Sequence, residues 1–272
     1  MTAYLQEIVA HHRELAAVDG RDVEELIEMA GKEPSARGFR RALYDHWAAY
    51  GVGVVAEIKR RSPSKGPIAP DLDPAALAIE YERGGAACLS VLTDDRYFGG
   101  SPGDLRAARQ AAGLPVLRKD FTVSTADVAD ARLMGADAIL LIAAALEEAE
   151  LASLHHLAGR LGLDALVEIH DERELDQVLA LGASLIGVNQ RDLHTFEVDT
   201  GLAVKLRRRI PDSVVTIAES GIMGPGDAMR LADAGYHAIL VGEHLVRAAD
   251  RAEAVRKLAD PNRSVPCPTK RS

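Results

Sequence analysis

"TADVADARLMGADAILLIA", residues 125–143, carries two patterns in succession. A cap-type residue opens a run with helical spacing of apolar positions, and Gly135 ends it where a helix commonly turns into a left-handed C′ residue. "AILLIA" then runs without polar alternation, which marks a strand hidden on both faces, as in a parallel sheet covered by helices. The same unit of helix, glycine with alanine or a near equivalent, and buried strand recurs at Gly85-Ala86, Gly182-Ala183 and Gly235-Tyr236.

Working outward from it gives eight apolar runs. They are "VGVVAEIK" (52–59), "ACLSVLT" (87–93), "PVLRKDF" (115–121), "AILLIA" (138–143), "ALVEIH" (165–170), "SLIGVNQ" (184–190), "VVTIAES" (214–220) and "AILVGE" (238–243). Helical patterns lie between them, at spacings of roughly 20 to 35 residues that suit βα modules. Eight such modules predict a (β/α)₈ TIM barrel. The rival is a doubly wound open sheet, which calls for a Gly-x-Gly-x-x-Gly turn after a strand, and none stands there. Residues 1–50 hold three further helical segments and read as an extension covering the barrel, within one domain spanning 1–260. The polar, Pro-rich 261–272 reads as a mobile tail.

Bulk properties narrow the function. A net charge of -9 without a long basic run argues against nucleic acid or an acidic membrane as partner, since both require clustered Lys and Arg. Cys88 lies in an apolar run and Cys267 in the tail, so no disulfide framework is expected, which suits a reducing cytosol. No apolar stretch approaches the roughly 18 residues of a membrane span, and charges interrupt the N-terminus where a signal peptide would need an apolar segment.

In a barrel of this kind the reacting groups stand at the C-terminal strand ends. The first run ends in "VVAEIKRRSPSKG" (54–66), where Glu57 and Lys59 share one strand face about 7 Å apart. Alone, that pair could be a strand-end salt bridge. The other ends add Lys119, Glu168, Asn189 with Arg191, and Glu219 with Ser220, so five of eight strands deliver polar or charged groups to one rim. Packing does not account for that, because buried charges are costly unless paired.

In such a mouth, desolvation and neighbouring cations are expected to lower a lysine toward working pH, where it serves as general acid. Arg191 and Asn189 suit a substrate carboxylate. Gly221 and Gly242, after the seventh and eighth runs, occupy the positions where barrels bind phosphate, and Ser62 or Ser64 could add a hydroxyl. The pairs His11-His12 and His155-His156 diverge on a helix and read as solvated surface. His170 could reach the mouth or serve structure only, and Arg207-Arg208-Arg209 suits a helix C-terminus. No metal-ligand spacing is present.

Taken together, "EIKRRSPSKG", "SVLTDDRYFGGS", "PVLRKDF", "GADAILLIAAAL", "ALVEIH", "GVNQRDLHTFEVD", "AESGI" and "AILVGEHL" resemble the indole-3-glycerol phosphate synthase family of tryptophan biosynthesis, in order, from about residue 4 to 258. The resemblance implies a barrel with an N-terminal helical extension. It implies ring closure, decarboxylation and dehydration of 1-(2-carboxyphenylamino)-1-deoxyribulose 5-phosphate, with no cofactor and no metal. The partner it implies is a small phosphorylated molecule, with other tryptophan-pathway enzymes as possible associates of a cytoplasmic protein. It gives Lys119 the general-acid role and Glu168 that of acid/base partner in dehydration, with Lys59 steering the substrate carboxylate. Glu57, Asn189, Arg191, Glu219 and Ser220 match polar positions lining the site, Phe121 closes the third motif beside them, and Ser62, Gly221 and Gly242 match phosphate contacts. Two departures, Ala126-Asp127 in place of a Tyr-Gln pair and Gln190 in the sixth motif, bear on loop closure over Lys119 and on affinity. Two rivals remain: another phosphosugar barrel using a Cys and an Asp, and a catalytically silent metabolite-binding protein.

Overall fold

A computed structural model of the chain describes residues 3–62, 65–192, 195 and 197–260. Ser64 and the segment 261–272 with Cys267 lie outside the described residues. Eight parallel strands close into a barrel: β1 (Gly53–Ile58), β4 (Cys88–Leu92), β5 (Val116–Lys119), β6 (Ala138–Ile142), β7 (Asp164–Ile169), β8 (Leu185–Asn189), β9 (Val215–Glu219) and β10 (Ala238–Val241), with β10 pairing back onto β1. Seven of the eight apolar runs contain one of them whole, and "ALVEIH" contains all of β7 except its first residue, Asp164. A small antiparallel hairpin of β2 (Arg61–Ser62) and β3 (Gly66–Pro67), which apolar patterning gave no reason to expect, follows the first strand.

The recurring glycines do what their position suggests. Gly135 and Gly182 end helices α7 (Thr125–Met134) and α9 (Glu172–Leu181) at φ 90° and 79°, a conformation that costs most other residues about 1 kcal/mol or more. Gly85 and Gly235 repeat it after α4 (Pro74–Arg83) and α11 (Pro225–Asp233). At the opposite ends, Asp73 and Ser101 cap α4 and α6 (Pro102–Ala111), each followed by Pro at the first helical position. Helices α8 (Glu148–Arg160), α10 (Leu202–Arg207) and α13 (Arg251–Ala259) complete the outer layer, and α5 (Asp95–Phe98) and α12 (Glu243–Val246) are short pieces on the loops at the strands' C-terminal ends.

Two cores result from the strand alternation. One lies between sheet and helices, with Val54, Ala56 and Ile58 of β1 facing it. The other fills the barrel, where Val55, Leu117, Leu140, Leu166, Ile217 and Leu240 interlock. The three N-terminal helices are α1 (Ala3–Ala17), α2 (Val23–Gly31) and α3 (Phe39–Tyr50), and two of them plug the barrel's ends. Phe39 and Leu43 of α3 close the floor, while Leu5 and Val9 of α1 join the same interior core and α1 packs beside the turn Ala143–Ala145 after β6. Asp137, fully buried before β6, ties the floor together by accepting hydrogen bonds from Arg37 N at 2.7 Å and Val116 N at 2.8 Å and from the Arg109 guanidinium.

Ala126-Asp127 form the first turn of α7 and are not loop residues. Asp127 accepts from Ser124 N and Val123 N at 2.9 and 3.0 Å, and its carbonyl accepts from Arg118 at 2.7 Å. The connection from Lys119 to α7 is therefore short and pinned, and the departure at Ala126-Asp127 falls in the helix rather than in the loop after the third strand, where it was expected.

Candidate active site

Strand register sets the site. Leu92 is level with Lys119, Ile142 with Glu168, Glu168 with Gly187, and Asn189 with Glu219. Inward alternation then brings their side chains to one height at the mouth. A cavity of about 490 Å³ opens there, and its lining includes Glu57, Lys59, Ser62, Lys119, Phe121, Glu168, Asn189, Arg191, Glu219, Ser220, Gly221 and Gly242. All twelve residues singled out from sequence reach this one space.

At its centre Lys119 Nζ stands 3.4 Å from Glu168 Oε2 and 3.8 Å from Glu219 Oε2. Glu57 and Lys59 form an ion pair on the adjoining wall. Asn189 Nδ2 donates to Glu168 Oε1 at 3.1 Å, and its own Oδ1 accepts from Arg191 N at 3.1 Å, so the sixth motif fixes the carboxylate from the side. Gln190 turns away from the cavity and donates to Ser220 O at 2.8 Å, holding Ser220 in a left-handed conformation (φ 65°) that few non-glycine residues adopt.

The electrostatics correct one expectation. Burial pulls the Lys119 ammonium down, but Glu168, Glu219 and Glu57 outweigh it and hold the group above the ordinary lysine range. The leading charges acting on it are acidic, and they set the direction of its shift. Glu219 moves the other way, because burial and the charge of Glu168 exceed the pull of Lys119 and push its carboxyl up to about 8. Glu168 is driven well below the carboxylate range, since Lys119, His170 and Asn189 outweigh its burial. The two carboxyls of the pair are thus pushed in opposite directions, which is how two acids in one pocket take different tasks.

Several contributors went unread in the sequence. Tyr4, Leu5 and Ile8 of α1 line the cavity, so the extension supplies part of its wall. A Cβ on Gly187 would collide with the Glu219 carboxylate, so that strand glycine leaves the room Glu219 occupies; a glycine inside an apolar strand was the available signal. Lys65 pairs with Glu243 at 2.9 Å beside the expected phosphate glycines. His12 is not solvated surface: its side chain is 13 % exposed, Nε2 lies 3.0 Å from Asp94 and 3.9 Å from Asp120, and its ring meets Phe121. Among the described residues His12, Asp94 and Asp120 come close enough to hold a metal ion, yet the carboxylates already serve the α5 backbone, Thr93 and Arg118. His155 is half-buried and His156 exposed on α8. Arg207 does sit at a helix C-terminus, donating to Gly235 O and Ile210 O at 2.8 Å.

Comparison with known proteins follows the same lines. The family model described as indole-3-glycerol phosphate synthase matches residues 5–258. A Nocardioides sp. protein named indole-3-glycerol phosphate synthase is 52% identical over 213 residues, covering 78% of this chain and 82% of the relative. Indole-3-glycerol phosphate synthase 2 of Streptomyces coelicolor is 49% identical over 238 residues, 88% of this chain and 91% of the relative. Solved structures share the barrel at low identity. A thiamine phosphate pyrophosphorylase from Pyrococcus furiosus has a TM-score of 0.58 at 16% identity, covering 82% of this chain and 98% of that one. An N-acetylmannosamine-6-phosphate 2-epimerase from Clostridium perfringens has a TM-score of 0.55 at 16% identity over 71% and 86% of the two chains. With a charged barrel mouth, an N-terminal helical cover and a match along nearly its whole length, the chain belongs to the indole-3-glycerol phosphate synthase family, carboxy-lyases of tryptophan biosynthesis.

Proposed function

We propose that in the reaction of this family Lys119 is the general acid and Glu168 its acid/base partner, with the remaining mouth residues binding the two anionic ends of the substrate. The observation that carries this reading is the Lys119 ammonium held 3.4 Å from Glu168 inside the cavity. Ring closure of 1-(2-carboxyphenylamino)-1-deoxyribulose 5-phosphate needs a proton on the ketone oxygen as the aromatic carbon attacks. A cation that is fully protonated yet poorly solvated is poised to deliver it. Loss of carbon dioxide then restores the aromatic ring, and departure of the new hydroxyl as water needs a second proton delivered to it and a proton removed from the neighbouring CH₂ carbon, so that the indole double bond forms and the N–H is kept. Glu168, beside Lys119 and ionised at rest, is placed to exchange protons with it between the steps.

Substrate orientation follows from the cavity's walls. Leu5, Ile8, Phe98, Phe121, Leu140 and Ile142 form an apolar side suited to the aromatic ring. Lys59, steadied by Glu57, and Arg191 supply cations for the ring carboxylate. Ser62, Lys65 and the backbone N–H groups at Gly221 and Gly242 receive the phosphate, with Gly242 lying beside Glu57 and Lys59. Ser220, held left-handed, sets the chain before Gly221, and Asn189 keeps Glu168 in place. Glu219, whose carboxyl is pushed up by burial and by Glu168, borders Lys119 in the form least opposed to two substrate anions.

A Cys-dependent phosphosugar barrel is less well supported, because Cys88 is buried against the floor, near Phe39 O, with its thiol pushed up by burial. Purified Lys119→Ala supplied with the substrate tests the assignment and also separates an enzyme from a silent binder. Turnover should fall by about 10³-fold or more while substrate still binds. Indole-type fluorescence appearing at a near-normal rate would overturn it.

A further inference from the structure

We propose that His170 is a positioning residue for Glu168: bracketed as an imidazolium between Glu168 and Glu174, it keeps the Glu168 carboxylate ionised and leaves Oε2 as the oxygen turned toward Lys119. The proposal rests on the acid/base role given to Glu168 above.

The bracket is built from the chain's local rules. His170 follows β7 immediately and shares the inward side with Glu168, two residues earlier. Asp171 then caps α9, accepting from Glu174 N at 2.8 Å, and this turns the Glu174 side chain back along the chain. Glu174 Oε2 accepts from His170 N at 2.7 Å and lies 3.2 Å from His170 Nδ1. On the other side Nε2 stands 3.2 Å from Glu168 Oε1 as an ion pair. That same oxygen accepts from Asn189, so two groups claim Oε1 and Oε2 is left facing Lys119 at 3.4 Å.

A neutral imidazole has only one N–H, so one of its nitrogens would set a lone pair against a carboxylate oxygen. A doubly protonated ring faces both carboxylates with positive charge, hydrogen-bonding Glu174 through Nδ1 and pairing with Glu168 at 3.2 Å through Nε2. Burial pulls His170 down, yet Glu168 and Glu174 outweigh it and raise the group to about 10. The groups that face it are Glu168 on β7 and Glu174 on α9. Lys119 of β5 and Glu219 of β9 act on it through Glu168, and the turn Ala143–Ala145 packed beside β7 and α9 carries no charge.

The test compares pH profiles of kcat for the wild type, His170→Gln and Glu174→Gln, with Glu168→Gln as control, and adds ¹⁵N-histidine NMR of the substrate-free protein. His170→Gln should lower kcat about tenfold with KM changed by less than about twofold. It should move the acid limb of kcat upward by about one pH unit or more, because Glu168 loses a fixed cation 3.2 Å away. Glu174→Gln should move the limb the same way by less, and the wild-type His170 resonances should be those of an imidazolium at pH 8. An acid limb unmoved in both variants, even with kcat reduced, would show a merely structural role and overturn the proposal, as would a neutral His170 at pH 8. If Glu168→Gln itself turned over normally, the assignment of Glu168 would be what failed, and the positioning role would fall with it.

Discussion

Asp137 and Glu219 are both buried carboxyl groups inside one barrel, 0% and 2% exposed, yet they live under opposite conditions. Asp137, on the floor, is met by two backbone N–H groups and by Arg109. Glu219, at the mouth, keeps one oxygen with no hydrogen-bond partner, and its remaining side-chain neighbours are Lys119, 3.8 Å from the other oxygen, and the Glu168 carboxyl. A carboxylate taken out of water costs several kcal/mol unless its oxygens are satisfied. The floor meets that cost and the mouth does not. Unsatisfied polarity is therefore concentrated where a substrate would complete it, the arrangement a barrel uses to separate stability from chemistry.

The sharpest way to break the comparison is to remove the floor carboxylate. Asp137→Ala strands the Arg109 guanidinium, the buried Val116 N–H and the Arg37 N–H, so unfolding free energy should drop by roughly 3–5 kcal/mol. Denaturant melts give the loss, and kcat/KM of the protein that remains folded should stay within about twofold of wild type. A large fall in activity without loss of stability would show that floor and mouth are not separate.

This division also explains what could be read from the chain. The barrel was legible because burial on both faces forces a strand to be apolar throughout, and because a left-handed turn after a helix favours glycine; both constraints are local. The mouth was legible wherever a charge interrupted a strand's end, as at Glu57, Lys119, Glu168 and Glu219. What escaped depends on contacts across the fold. The α1 residues Tyr4, Leu5 and Ile8 look like any amphipathic face until the helix is laid over the mouth. His12 pairs with Asp94 and Asp120 from residues over 80 positions away, and the sign of the Lys119 shift was misread because three carboxylates approach it from three other strands.

Gly187 sharpens the comparison from the mouth side. Its Cβ would occupy the place of Glu219 Oε1 and touch Leu166, so Gly187→Ala must displace a functional group without emptying the core. Turnover should fall by about 10- to 100-fold, the scale on which a misplaced reacting group costs rate, while the melting temperature changes little. Steady-state kinetics beside a thermal melt decide this, and an unchanged kcat would mean that Glu219 is not held where the chemistry needs it.

The smallest effect has the most specific sign. Glu219 has a folded-state pKa raised from 4.5 to about 8, by burial first and then by Glu168. A carboxyl so raised favours the folded protein fully below pH 4.5, and that contribution is lost as pH rises through 8, where folding must bury a second negative charge beside Glu168. Glu219→Gln removes the titration while keeping the shape. Its stability relative to wild type should therefore be level near pH 4.5 and rise to an advantage of about 1 kcal/mol by pH 9, with activity reduced across the range. Asp137 offers no such gain, because its oxygens are already met by the N–H groups of Arg37 and Val116 and by the Arg109 guanidinium, so a floor substitution only removes contacts. Stability curves at several pH values for the two variants would tell the two carboxyls apart, and a Glu219→Gln protein no more stable than wild type at pH 9 would remove the distinction between a satisfied floor and a strained mouth.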